Sequence, residues 1–314
     1  MNKKLILLLS LFFVLHLPIL VFPNWLVFDE NLYIPDAHYI INGQPNWNSG
    51  QPPLAKDILA LSILIFGDNM SLGGNQQYRF AWAFPSVIIG AFSLLIFYRI
   101  ISKLTKNSQI AFFSTLLLSF DNFFFIHSSI GTLDIFFLFF MLLALDLYLG
   151  FKPTLSAISL GLALVAKFFS LFSVLIIGAY ILANWALEGF RSIKQRVIFF
   201  VKYSAVTLAI FLIVLTILDV VSYRNPEDGI NYWNPLEHIS SMYNEHAGLI
   251  LSNLRHSLFN IACNPWYWFL SWSGIGGLSC RPIPYYITNL DGGSTIPIID
   301  FWFRWYVHIQ YLGI

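Results

Sequence analysis

Two adjacent carboxylates, Asp29 and Glu30, stand where the first apolar run ends, and Asp36, Lys56 and Asp57 follow within the same stretch. This charge is concentrated in a chain that is 57% hydrophobic and only 11% charged. Acids at the mouth of an apolar helix are costly unless they meet water, a partner or a substrate. A carboxylate held at such an edge can take the proton of an attacking hydroxyl, and nearby cations can stabilise a departing anion. Either carboxylate of the pair can serve as that base, and Glu30 can instead orient the attacking group, hold Asp29 or simply be solvated. Lys56 and Arg79, the cations of the first polar loop, are the candidate anion partners, one a point charge and the other a bidentate fork. The plainer alternatives are acids that merely stop a helix and cations that snorkel to lipid headgroups.

A second set lies deeper in the chain. Asp121 and Asp134 flank a short polar patch between apolar runs, and Lys167 interrupts another run at the same expected depth. Such acids usually face a cavity or a cation, so Asp134 and Lys167 suggest either a substrate-facing pair or a structural one. Tyr33 and Gln51 complete the polar candidates of the first loop. Glu237-His238 and Glu245-His246 read as parts of a solvated helix face rather than as metal ligands. No glycine-rich phosphate loop and no Cys/His cluster at metal spacing is present in the sequence, so neither a metal nor a cofactor is expected.

These residues must be positioned by apolar helices. The 314-residue chain has 31 Phe, 15 Tyr and 10 Trp and a mean hydropathy of +0.69, the profile of an all-α polytopic membrane protein. A net charge of +1 excludes a global field that would recruit nucleic acid. Leu5–Phe22 is expected as a retained first helix, Leu54–Phe66 as a short interfacial segment, and Trp82–Ile100 as a span. Ile110–Phe120, Ile130–Leu149, Leu155–Ala166, Phe168–Leu187 and Val197–Val220 continue the series, giving about seven spans. The chain from 221 to 314 is expected to be a polar loop, with short helices around Leu236–Tyr243 and Gly248–Phe259, followed by an aromatic C-terminal segment. The whole is expected as one domain, with residues 1–220 as membrane core and 23–79 as a long first outer loop.

Lys3, Lys4, Arg99, Lys103, Lys106, Lys152, Arg191, Lys194, Arg196 and Lys202 fall on one side of this arrangement, with Asp146 and Glu188 as its only acids. That side is expected to be cytoplasmic, with the N-terminus inside and the chemistry on the extracytoplasmic face. Cys263 and Cys280 share the outer side and either pair or remain free. Asn69-Met-Ser71 is a formal glycosylation acceptor there.

Several blocks in order resemble the protein O-mannosyltransferase family, membrane glycosyltransferases of the GT-C class. Asp29-Glu30 with Tyr33, Ala37 and Tyr39 matches its acidic pair and following aromatic helix. Gln51-Pro-Pro-Leu-Ala-Lys56 matches its His-Pro-Pro-Leu-(Gly/Ala)-Lys block, followed by Phe66-Gly67-Asp68 and Arg79. Ser119-Phe-Asp121 through Ser128 to Leu133-Asp134 matches a block that ends before a Phe-rich helix. Gly161-Leu-Ala with Lys167 and Pro265-Trp-Tyr-Trp complete the series. The resemblance covers residues 20–270. Gln51 stands where the family usually has His, Ser129 stands where it often has Arg, and family members usually continue through further helices and soluble loops.

The resemblance implies an inverting transfer of a mannose-like sugar from a polyprenyl (dolichyl-type) phosphate donor to Ser or Thr of an exported protein, without metal. In it Asp29 is the catalytic aspartate, while Lys56, Arg79, Asp121, Asp134, Lys167, Tyr33 and Gln51 line the substrates. Membrane lipid, donor and acceptor are the expected partners, along with a missing partner chain or C-terminal region. A lipid or glycan acceptor keeps the class and changes the product. Lipid-linked-sugar binding or transport without chemistry, and an inactive truncated homologue, are the remaining alternatives.

Overall fold

Apolar runs punctuated by proline, glycine and short polar caps become helices, and among the described residues every regular element is a helix. The computed structural model describes residues 3–21, 26–27, 29–44, 48–67, 79–168, 177–178, 180, 192–223 and 230–259. Helix α1, Lys3–His16, gives way to turns over 17–21, where Pro18 cannot continue the ladder. Helix α2, Glu30–Asn42, starts directly after Asp29. Helix α3, Leu54–Phe66, starts behind the Pro-Pro turn and has the expected bounds.

Helix α4, Phe80–Thr105, follows Arg79 and runs for 26 residues. Asn107 caps α5, Ser108–Ser119, by accepting the backbone N–H groups of Gln109 and Ile110. Helix α6, Asn122–His127, is one short turn before α7, Asp134–Leu149, and α8, Pro153–Ala166, opens on a proline. Helix α9, Ile193–Ser222, begins with a capping box in which Ser192 and Gln195 exchange side chain-to-backbone bonds. Helix α10, Pro235–Phe259, is one element where the sequence suggested two short ones.

Two helices, Phe80–Thr105 and Lys194–Ser222, are long and apolar enough to cross a membrane. The second presents Val201, Leu208, Ile213, Ile217 and Val221 outward, each more than half exposed. A stripe of that length suits lipid, and the chain is a membrane protein. The helices pack in space as α2 on α3, α4 on α5 and α7, α7 on α8, and α8 on α9. Gly161 makes the last of these close, because a Cβ there would lie 2.8 Å from the backbone oxygen of Thr207.

The main core joins α2, α3, α4 and α7 through Ile34, Leu59, Trp82, Leu133 and Phe136. The chain divides into two compact units, Met1–Tyr243 and Asn244–Ile314, and the candidate site belongs to the first. Most of the expected span Phe168–Leu187 lies outside the described residues. So do Asn69-Met-Ser71, Cys263 and Cys280, the Pro265-Trp-Tyr-Trp block and the Phe301–Ile314 segment.

Candidate active site

Asp29 and Glu30 are neighbours in sequence with opposite surroundings. Glu30 is completely buried, and both of its oxygens are saturated. Oε2 pairs with the Arg79 guanidinium at 2.8 Å and accepts the Val27 N–H at 2.8 Å. Oε1 accepts the Trp82 indole N–H at 3.1 Å and the Gly131 N–H at 2.8 Å. Arg79 also donates to the backbone oxygens of Ile19, at 3.1 Å, and Ser129, at 3.3 Å. A Cβ on Gly131 would come within 2.9 Å of the Ile34 side chain and 3.0 Å of the Trp82 ring, so glycine lets this turn pack closely against Ile34 and Trp82 where it reaches Glu30.

This hub ties the turn after α1, the starts of α2 and α4, and the turn before α7 to one carboxylate. A charge so deeply desolvated persists only with full pairing, and its value lies in fixing geometry. The geometry favours Glu30 as the anchor of Asp29.

The two cations expected to meet a donor phosphate are placed differently from that expectation. Arg79 is 1% exposed and held by Glu30. Lys56 is also fully buried, 2.7 Å from Asp36 and 3.0 Å from the Asn48 carbonyl, with its ammonium 5.1 Å from the centre of the Tyr223 ring. Both charges are already matched within the protein, and the local sequence could not reveal their partners.

Lys56 is part of a second polar group around α3. Asp57 accepts from Ser222 at 2.7 Å, and His238 lies 2.7 Å from Asp219 and 2.9 Å from the Ser49 carbonyl. His238 is fully buried, which corrects its expected place on a solvated helix face. Burial pushes the Asp57 carboxyl up to about 7.

Asp29 remains partly accessible at the edge of the hub. Its backbone carbonyl accepts the N–H groups of Leu32 and Tyr33, which fixes it as the first residue before α2. Burial raises its carboxyl to about 6, Lys167 acts to lower it, and Asp134 acts to raise it. Asp134 and Lys167 form an ion pair at 2.5 Å, each with a side chain about one-seventh exposed. The pair forms because α8 stops at Ala166 and Lys167 turns extended, with φ −157° and ψ 133°, aiming its side chain at the start of α7. Gln51 helps hold this break, its Oε1 accepting the Phe168 N–H at 3.3 Å.

The other oxygen of Asp134 lies 3.5 Å from Nδ1 of His127, which is also 3.0 Å from the Thr132 hydroxyl. His127 was not among the sequence candidates. It lies inside the polar patch between Asp121 and Asp134, seven residues before Asp134, and that position was the only local hint. The group Asp29, His127, Asp134 and Lys167 can accept a proton beside a cation at an accessible edge.

Asp121 lies elsewhere: it is exposed and caps α6 by accepting the Phe124 N–H at 2.9 Å. Tyr33 is 4% exposed and packs in the main core. Among the described residues, no three His, Cys, Asp or Glu side chains are arranged to share a metal ion.

The family model described as dolichyl-phosphate-mannose-protein mannosyltransferase matches residues 5–226, well over half of the chain. The chain belongs to that family. Every residue of the hub and of the Asp29 group falls inside the matched stretch. No curated protein matches the sequence significantly. The fold is that of a solved structure from S. cerevisiae, the protein O-mannosyltransferase Pmt1-Pmt2 complex bound to the sugar donor, with a TM-score of 0.56 and 21% identity. The match covers 71% of this chain and 34% of that one, so this chain spans about a third of the solved relative.

Proposed function

We propose that this protein is a membrane glycosyltransferase of the GT-C type that moves mannose from a dolichyl-type phosphate carrier to a hydroxyl of a protein acceptor. The observation that carries the reading is Asp29. Within a stretch matched by the mannosyltransferase family, its side chain is partly accessible and feels the charge of Lys167, while its neighbour Glu30 is sealed.

Asp29 takes the proton of the acceptor hydroxyl as the oxygen attacks the anomeric carbon. The carbon–oxygen bond to the phosphate breaks on the opposite face, and the bonding pair leaves with the phosphate. The product is inverted. The phosphate is stable as an anion and needs no strong acid, only positive charge, which the partly exposed Lys167 can offer more readily than the fully buried Lys56 and Arg79, although all three are ion-paired. Seven or so spans, a cytoplasmic N-terminus and an outer active site complete the proposal. Asp146, paired with Arg99 at 3.0 Å and Lys103 at 2.8 Å, supports this orientation. It lies about 18 Å along α7 from Asp134, among residues assigned to the cytoplasmic side. A partner chain is proposed by analogy with the two-chain solved relative.

The test is transfer of radiolabel from dolichyl phosphate mannose to a Ser/Thr-rich peptide in membranes, comparing the parent with Asp29→Asn. Label on the peptide that vanishes in the variant supports the reaction and its base. Label on lipid moves the acceptor to a lipid or glycan. Donor binding without transfer supports a carrier-binding protein and overturns the enzymatic reading.

A further inference from the structure

We propose that His127 is a positioning residue that takes up a proton when an anionic sugar-phosphate donor binds beside Asp29. This rests on the donor reading above and adds a group and a dependence that the reading does not contain. The argument is one of charge.

A sugar phosphodiester brings one negative charge to a place where, among the described residues, Asp29 and Asp134 already face the charge of Lys167. Lys56 and Arg79 cannot supply the balance from where they stand, because each is buried against its own carboxylate, Asp36 or Glu30. Asp134 is the carboxylate through which extra positive charge can enter. One of its oxygens holds Lys167 at 2.5 Å, and the other faces His127 Nδ1 at 3.5 Å.

The charged groups facing His127 are Asp134 at the start of α7, Lys167 after α8 and, through them, Asp29 before α2. Without donor, burial and Lys167 hold the imidazole neutral against the pull of Asp134. In that state Nδ1 can accept from the Thr132 hydroxyl at 3.0 Å. An incoming phosphate reverses the balance, since it draws on Lys167 and leaves Asp134 short of positive charge. Protonated Nδ1 then donates to Asp134, with one proton drawn from solvent. Histidine is the side chain whose ordinary range makes such a switch available near neutral pH.

The sign follows from linkage. Donor binding raises the affinity of His127 for a proton, so the donor binds more tightly at low pH and loses that advantage as pH rises through the bound-state value. Asp29 titrates in the same direction near 6, so the measurement belongs in the Asp29→Asn background, which also prevents turnover.

Affinity for dolichyl phosphate mannose would be measured on the purified full chain in detergent between about pH 5.5 and about pH 7.5. The Asp29→Asn protein is expected to weaken about tenfold over that range, as uptake of one proton allows. Adding His127→Gln should flatten the profile at the weak level, and adding His127→Lys should flatten it at the tight level. A slope that survives in Asp29→Asn/His127→Gln, or a flat profile in Asp29→Asn itself, overturns the role of His127 while leaving the donor reading standing. No binding by any variant at any pH overturns the donor reading and this inference with it.

Discussion

The Glu30 hub and the Asp29 edge are built on consecutive residues, yet one is closed and the other is poised. Glu30 has four donors, no accessible surface and a full charge match in Arg79. Asp29 has part of its surface open, a cation acting on it and a second acid that opposes ionisation. The difference teaches that burial alone does not make a carboxylate reactive. Saturation removes it from chemistry, whereas partial desolvation beside a shared cation leaves it able to gain and lose a proton. The closed half holds the open half still. Asp29, just before α2, cannot drift while Glu30 beside it is held by donors from three stretches of chain, Val27, Arg79 with Trp82, and Gly131.

The sharpest way to break the contrast is to neutralise each acid in turn. Asp29→Asn is expected to lower transfer by about 10²- to 10⁴-fold while leaving thermal stability close to the parent's, because it removes a base and no buried pairing. Transfer assays with a melting curve on the same preparations check it; near-parental turnover would remove Asp29 from the role. Glu30→Ala, or Arg79→Met, should do the reverse first. Each leaves its partner as an uncompensated buried charge, with an expected loss of about 3–5 kcal/mol seen as reduced folded yield and a lower Tm. A Glu30→Ala protein as stable as the parent would show that the hub is dispensable.

The contrast is sharpened by tuning the open half. If Asp29 is the base, transfer should rise with pH through about 6 and level off above, since only the ionised form accepts a proton. Removing the cation with Lys167→Met leaves burial and Asp134 unopposed, so the rising limb should move to higher pH. Asp134→Asn removes the opposing charge and frees Lys167, so the limb should move to lower pH. A pH–rate profile of both variants decides it, and movement in the same direction for both would refute the coupling. The smallest effect belongs to Asp121, which the geometry assigns to a helix cap. Asp121→Ala should cost about 1 kcal/mol in stability and leave donor affinity unchanged. A large change in donor affinity would return Asp121 to the substrate site.

Much of this was legible in the chain itself. Leu54–Phe66 appears as a helix with the bounds its apolar run and Pro-Pro start suggested, and Asp134 opens α7 from the top of a Phe-rich run. Asp134 and Lys167 pair as their shared expected depth implied. What could not be read was the pairing of the remaining charges. The partners of Glu30 lie 49, 52 and 101 residues away, and neither Trp82 nor Gly131 carries a local sign of it. The solvated face expected for His238 failed for the same reason, since its partners, Asp219 and Ser49, come from α9 and the loop before α3.

The sequence by itself determined that this is a helical membrane chain, where helices such as Leu54–Phe66 fall, and which family it belongs to, because apolar runs and short caps act over a few residues. Tertiary structure alone decided which acid is sealed and which is open. A carboxylate's chemistry is set by what surrounds it within a few ångströms, and three of the four donors to Glu30 lie 49, 52 and 101 residues away in the chain.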